Sequence, residues 1–253
     1  MIPGHTDWSK RWHRGVVTIN GEWPEQPAHV HSFFNPCLTE QELSEAKTAG
    51  LNKQLSGPLR LLYVGHLLAE KGVTRVLDIL ACLRREGCDA YLDIIGDGPE
   101  RVLLEALATD LNVSDAVKLH GWLARPLLAP LYAQAHFMLL PTESEGWPKV
   151  LSEAMAYGAV PLSSDVSSIP QYLKEFGTGK VYRPEDIESF ADAIIRYSNH
   201  PEEWKRESHN GIEAAVLFSY DNYLDAVCRM LDLNDDSNSS RNTERLKSAI
   251  NIN

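Results

Sequence analysis

Cysteine is sparse in this chain and positive charge is in deficit, and both shortages narrow what it can do. Only Cys37, Cys82, Cys88 and Cys228 occur, none at Cys-x-x-Cys spacing. That spacing argues against a disulfide framework or a thiolate metal knuckle and predicts reduced thiols in core or loop positions. Lysine and arginine number 24 against 35 acidic residues, a net charge of −11. Such a balance argues against polymeric nucleic acid or an anionic membrane surface as the main partner, so any anion must be held by a local site. Long apolar runs are missing too. No stretch approaches the roughly 18 residues of a spanning helix, and the opening "MIPGHTDWSKRWHRG" lacks the apolar centre of a secretion signal, so the expected location is cytoplasmic. His29 and His31 in "AHVHS" would share one face of a strand. With no Cys, Asp or Glu at ligand spacing to complete a site, neither metal nor cofactor is expected.

What is present is ordinary globular material, with 43% hydrophobic residues in 253, enough for one large domain or two small ones. The apolar run "LRLLYVG" reads as a buried strand, and "VTRVLDILACLRR" places Val73, Val76, Leu77, Leu80 and Leu83 at helical spacing. The same couple recurs in "AYLDIIG" with "PERVLLEALATDL", "AVKLHG" with "PLLAPLYAQA", "HFMLLP" with "KVLSEAMAYG" and "AVPLSS" with "PQYLKEF". After "GKVYRP", helices are expected near 185–199, 201–216 and 219–231. Strands alternating with helices at this interval predict an α/β domain over 58–231, a doubly wound parallel sheet covered on both faces. Residues 1–57 show no clear period apart from a helix candidate at 39–49, and read as a lead-in segment, not a complete domain. The Ser/Asn-rich stretch at 232–253 reads as a disordered polar tail.

The most informative stretch is "LLPTESEGWPKVLSEAMAYGAVPL", residues 139–162, where Glu145 and Glu153 stand eight positions apart across a strand-to-helix turn. A helix over 149–157 would bury Val150, Leu151, Ala154 and Met155 and leave Lys149, Glu153 and Tyr157 on the polar side. On the residues alone, Glu153 is then a solvated helix residue whose removal should hardly change stability, and Glu145 a charge that favours the helix dipole. Lys71 would be a solvated charge near a helix start, "GDGP" a structural turn, and Trp122 a strand-end residue of core or interface.

The ordered set "YVGHLLAEKGV", "IIGDGPE", "LHGWL" and "PTESEGWPKVLSEAMAYGAVPLSSD" resembles the nucleotide-sugar-binding C-terminal domain of retaining GT-B glycosyltransferases of family 4, over roughly 58–231. The resemblance implies a Rossmann-like half of a GT-B architecture and a hexosyltransferase that works with retention and without bound metal. It implies that Glu153 accepts hydrogen bonds from the ribose hydroxyls and that Glu145 touches the transferred sugar and serves as the catalytic carboxylate; a carboxylate suits a vicinal diol. Gly65, His66 and Lys71 would face the donor diphosphate. Similar proteins carry arginine where His66 stands, and imidazole offers fewer donors and is largely neutral near pH 7. Trp122 and Leu123 would lie near the nucleobase. Gly146, Trp147, Lys149 and Val150 would complete the substrate-binding set around the helix start, where Pro148 removes one backbone donor. A GT-B enzyme holds its acceptor mostly in an N-terminal domain that 57 residues cannot form. Either the chain is a fragment, or a second polypeptide carrying the acceptor domain joins the nucleotide sugar as a partner, or transfer activity has been lost; the isolated chain is expected to be inactive. The alternative is a noncatalytic nucleotide-binding or partner-binding module.

Overall fold

The computed structural model describes residues 16–230, so the tail expected at 232–253 lies outside the described residues. Two short strands, β1 (Val17–Ile19) and β2 (Val30–Ser32), pair in parallel and lead into helix α1 (Glu40–Leu51). Then follow β3 (Leu59–Val64), α2 (Val73–Arg85), β4 (Ala90–Ile95), α3 (Arg101–Asp110), β5 (Val117–Gly121), α4 (Ala129–Gln134) and β6 (Phe137–Leu140). The chain continues through α5 (Lys149–Ala156), β7 (Val160–Ser164), α6 (Ile169–Phe176), β8 (Lys180–Tyr182), α7 (Ile187–Asn199), α8 (Pro201–Ala214) and α9 (Tyr220–Met230).

Strands β3 to β8 form one parallel sheet in the order β5-β4-β3-β6-β7-β8. Helices α2, α3 and α7 cover one face, and α4, α5, α6 and α8 the other, with α1 outside α4 and α5. Burial on both faces is why the strands read as unbroken apolar runs: all of Phe137–Leu140 and most of β3 are buried. In α2 the five residues expected at helical spacing are buried, joined by Ile79. The order reverses between β3 and β6, which opens a crevice beyond their carboxyl ends, the general ligand position in such sheets. No helix among the described residues is long and apolar enough to cross a membrane.

The segment before β3 has more structure than its lack of period suggested. Thr39 and Glu42 form a reciprocal capping box that starts α1. Phe34 packs among Tyr172, Phe176 and Phe218, and the Gly21 amide donates to the Tyr172 hydroxyl at 2.6 Å. These contacts reach residues more than a hundred positions away, so periodicity within the segment could not announce them.

Lys53, just past α1, is buried and donates to the carbonyls of Tyr132 and Ala135 at 2.9 and 2.6 Å, closing the end of α4. Burial pushes its pKa down to about 7, and a neutral amine has the two hydrogens these two acceptors need. The unfolded chain, with an ordinary lysine, holds a proton that the folded one lacks between about pH 7 and 10. Stability from this residue therefore rises as pH increases through that window. Denaturant unfolding of the parent should gain stability over Lys53→Met with a slope approaching ~1.4 kcal/mol per pH unit there; parallel curves for the two proteins would show that Lys53 stays charged.

Candidate functional site

The crevice is built from the loops after β3 and β6. Beyond β3 the chain runs through Gly65 and His66 into a single 3-10 turn, Ala69–Lys71. The buried Tyr63 hydroxyl donates to the His66 carbonyl at 2.9 Å, and the Gly65 amide donates to Ile95 at 3.0 Å. Together these fix the loop from below while His66 itself is exposed. Burial, reinforced by the Glu145 charge, raises the Tyr63 pKa and keeps this phenol protonated as a donor.

From the other side, the Glu143 amide donates to the Glu70 carbonyl at 2.9 Å, and Arg75 donates to the Pro141 carbonyl at 3.1 Å and pairs with Glu143. Gly72 makes this closeness possible. Its φ of +73° is left-handed, and a Cβ there would overlap the Pro141 carbonyl. Lys71 and Glu145, expected near one ligand, meet directly: Nζ to Oε1 is 2.6 Å, both about three-quarters buried at 24% exposure. Lys71 also reaches the Ser144 carbonyl at 3.4 Å.

Glu153 corrects the sequence reading. Its carboxylate is not on a solvated face but buried at 8% exposure. Arg125 Nη1 donates to Oε1 at 2.9 Å, and the Tyr132 hydroxyl to Oε2 at 2.8 Å. The polar stripe of α5 is covered by α1 and reached by Tyr132 of α4, both from elsewhere in the chain. Burial pushes the Glu153 carboxyl pKa up, while Tyr132 and Arg125 pull it back. Arg125 Nε also donates to Glu42 Oε1 at 2.7 Å, and Nη2 to the Cys37 carbonyl. Burial works against ionising Glu42, but the Arg125 and Thr39 hydrogen bonds outweigh it and hold its pKa below the ordinary value.

Glu42, Arg125 and Glu153 line a cleft of about 380 Å³ that includes Thr39, Tyr132 and Tyr157. Sequence reading missed Arg125 and Tyr132. An arginine in a loop and a tyrosine in a short helix carry no local signal, and only the position of Arg125 just past "LHGWL" hinted at a site. The Cys37 thiol beside Glu153 has its pKa pushed up to about 12 by burial and that charge, so it is not a nucleophile.

The remaining expected residues divide. Trp122 is 75% exposed beyond the end of β5 and so lies outside the core, and Leu123 is partly buried beside it. Gly146 and Lys149 are exposed and Val150 is partly buried at the start of α5, with Pro148 as its cap residue. Trp147 turns inward: it stacks on Phe218 with ring centres 5.2 Å apart, meets Tyr172 edge-on and donates from Nε1 to Ser152 at 2.7 Å. Its indole packs in the core and does not face the crevice.

Comparison with known proteins gives this geometry its setting. Residues 49–214 match the family described as glycosyl transferases group 1. Alpha-D-kanosaminyltransferase of Streptomyces kanamyceticus is 30% identical over 199 residues, covering 78% of this chain and 52% of that protein. Among solved structures, sucrose-phosphate synthase of Thermosynechococcus elongatus superposes with a TM-score of 0.65 at 26% identity, over 81% of this chain and 53% of its own. The C-terminal domain of a group 1 glycosyl transferase from Francisella tularensis is covered over 94% of its length, and 72% of this chain, with a TM-score of 0.57 and 16% identity, a likeness of fold. This chain spans about half the length of the curated relatives it matches. The sheet is thus the C-terminal, Rossmann-like half of a GT-B architecture. A match over about two thirds of its length makes the chain a member of the glycosyl transferase group 1 family.

Proposed function

We propose that this chain is the donor-binding half of a retaining hexosyltransferase of family 4, taking a sugar from a nucleotide sugar. The observation that carries the reading is the Lys71–Glu145 pair at the carboxyl ends of β3 and β6, where the strand order reverses. An ammonium has three donors, and two are directed at Glu145 and Ser144. The third serves a diphosphate oxygen, together with His66 and the amides near the start of α5, and stabilises the charge that develops as the sugar leaves. Glu145, held by Lys71, positions the sugar, and Glu153 takes the ribose hydroxyls. Trp122 offers an exposed ring for stacking near the nucleobase, beside Leu123. Gly146 lets the chain approach the ligand closely, and Lys149 adds positive charge beside Val150 at the helix start.

The acceptor half is a second body that meets this one across the crevice. The exposed apolar residues Val102, Leu103, Trp122 and Leu127, on the loops and helix starts beyond β4 and β5, suit such a partner.

The test is calorimetry of the purified chain with UDP, GDP and ADP. The parent should bind at least one, and Glu153→Ala should weaken it by about 1.5–3 kcal/mol, the worth of a charged hydrogen bond. Because that change also strips partners from Arg125 and Tyr132, folding of the variant is checked by thermal unfolding before titration. Equal affinity in folded variant and parent would remove Glu153 from the ribose role, and absence of binding to all three would remove the donor site.

A further inference from the structure

The arginine at position 125 joins its own loop to two segments distant in sequence, residues 37–42 and α5. Its guanidinium donates to the Glu42 carboxylate of α1, the Cys37 backbone carbonyl of the lead-in segment and the Glu153 carboxylate of α5. Of the two carboxylates Glu153 is the deeper, its side chain 11% exposed against 32% for Glu42. Glu42 is itself fixed, since its second oxygen accepts from the Thr39 amide at 2.8 Å and hydroxyl at 3.0 Å. The arrangement is directional: the cap of α1 holds Glu42, Glu42 holds Arg125, and Arg125 with Tyr132 holds both oxygens of Glu153.

We propose that Arg125 is a positioning residue for donor binding, keeping Glu153 ionised and turned so that its free lone pairs meet the ribose diol. A carboxylate accepts about four hydrogen bonds. The two in use leave room for two hydroxyls, and a planar fork sets the carboxylate plane in a way that a single point charge does not. This rests on the donor-site reading above. It adds that residues 37–42, outside the sheet, are needed for the ribose carboxylate to work.

The groups around Glu153 fix the expected sign. Arg125 and, from α5 itself, Lys149 are positive; Glu42 from α1 is negative; Tyr132 from α4 donates, and the Cys37 thiol is neutral. Glu45 and Tyr157 line the same cleft, which adds a further negative group. Without Arg125 the carboxylates stand close with only the Tyr132 hydroxyl and Lys149 to oppose them, so Glu153 holds its proton to higher pH.

The experiment follows the Glu153 side-chain carboxyl by carbon NMR in the ligand-free chain, assigned with Glu153→Gln, and titrates UDP, GDP and ADP by calorimetry at several pH values. In Arg125→Ala the Glu153 titration should move up by about one pH unit or more. Nucleotide affinity should fall about tenfold or more, and the deficit relative to the parent should widen as pH falls. Arg125→Lys, which keeps the charge and loses the fork, should leave the titration near the parent's while still weakening binding. A merely structural role would lower thermal stability and leave the titration and the pH dependence of the affinity ratio unchanged; that result overturns the proposal. Full affinity in Arg125→Lys would likewise overturn the orienting part. If Glu153 titrates as expected but the parent binds none of the three nucleotides, the donor-site reading fails and the positioning role fails with it; an unmoved titration sinks the positioning role alone.

Discussion

Replacing Gly72 by alanine should cost about 2–5 kcal/mol of stability, the sum of a left-handed backbone at roughly 1–2 kcal/mol and overpacking at roughly 1–3 kcal/mol. The second part arises because the new Cβ overlaps the Pro141 carbonyl and forces the loops after β3 and β6 apart. Gly87 is the control. Its φ of +81° is equally left-handed, yet a Cβ there has open space, so Gly87→Ala should lose only the backbone part. Denaturant midpoints at constant slope give the comparison. The separation of the loops also parts Lys71 from Glu145, so nucleotide affinity should fall in Gly72→Ala and stay unchanged in Gly87→Ala. Equal costs at the two positions would mean that the loops do not depend on each other's closeness.

Trp147→Ala should destabilise the chain by about 3–5 kcal/mol, as expected for truncating a buried aromatic. The indole is 4% exposed, stacks on Phe218, meets Tyr172 edge-on, and satisfies its N–H on Ser152. Trp147→Phe keeps most of the apolar contact and loses the hydrogen bond, so about 1–2 kcal/mol is expected. The pair of variants separates packing from recognition: a Trp147→Ala protein with parental stability and no nucleotide affinity would place the indole at the ligand instead. The same measurement bears on the neighbouring Lys149 and Glu145, since a collapse of the aromatic cluster would loosen the start of α5.

How far the sequence carried depends on which residues depend on near neighbours. The strands of the sheet were legible because burial on both faces leaves an unbroken apolar run, as in Phe137–Leu140. The face of α2 was legible from its spacing, and Lys71 and Glu145 were singled out by ordered motifs and meet at 2.6 Å. Glu153 was misread because amphipathic spacing assumes that one face of a helix meets water, and here α1 covers it and Tyr132 of α4 reaches it. Trp147 sits one residue from an exposed glycine, and nothing local says that its ring turns inward to Phe218. Arg125 was invisible for the same reason on a longer scale: its acceptors lie at positions 37, 42 and 153.

The strand order also bears on how the chain assembles. Every other neighbouring pair in the sheet joins strands that are consecutive in sequence, whereas β3 and β6 align Leu61 with Phe137 across the whole β4–β5 excursion. Chain entropy makes that the most expensive closure in the sheet, so local units favour earlier formation and the two halves dock against a larger barrier. Lys71 and Glu145 lie on opposite sides of this seam. A half-assembled chain therefore owns helices and strands but no crevice, and a nucleotide that recognises the crevice acts on the escape rate of the native state more than on its rate of arrival.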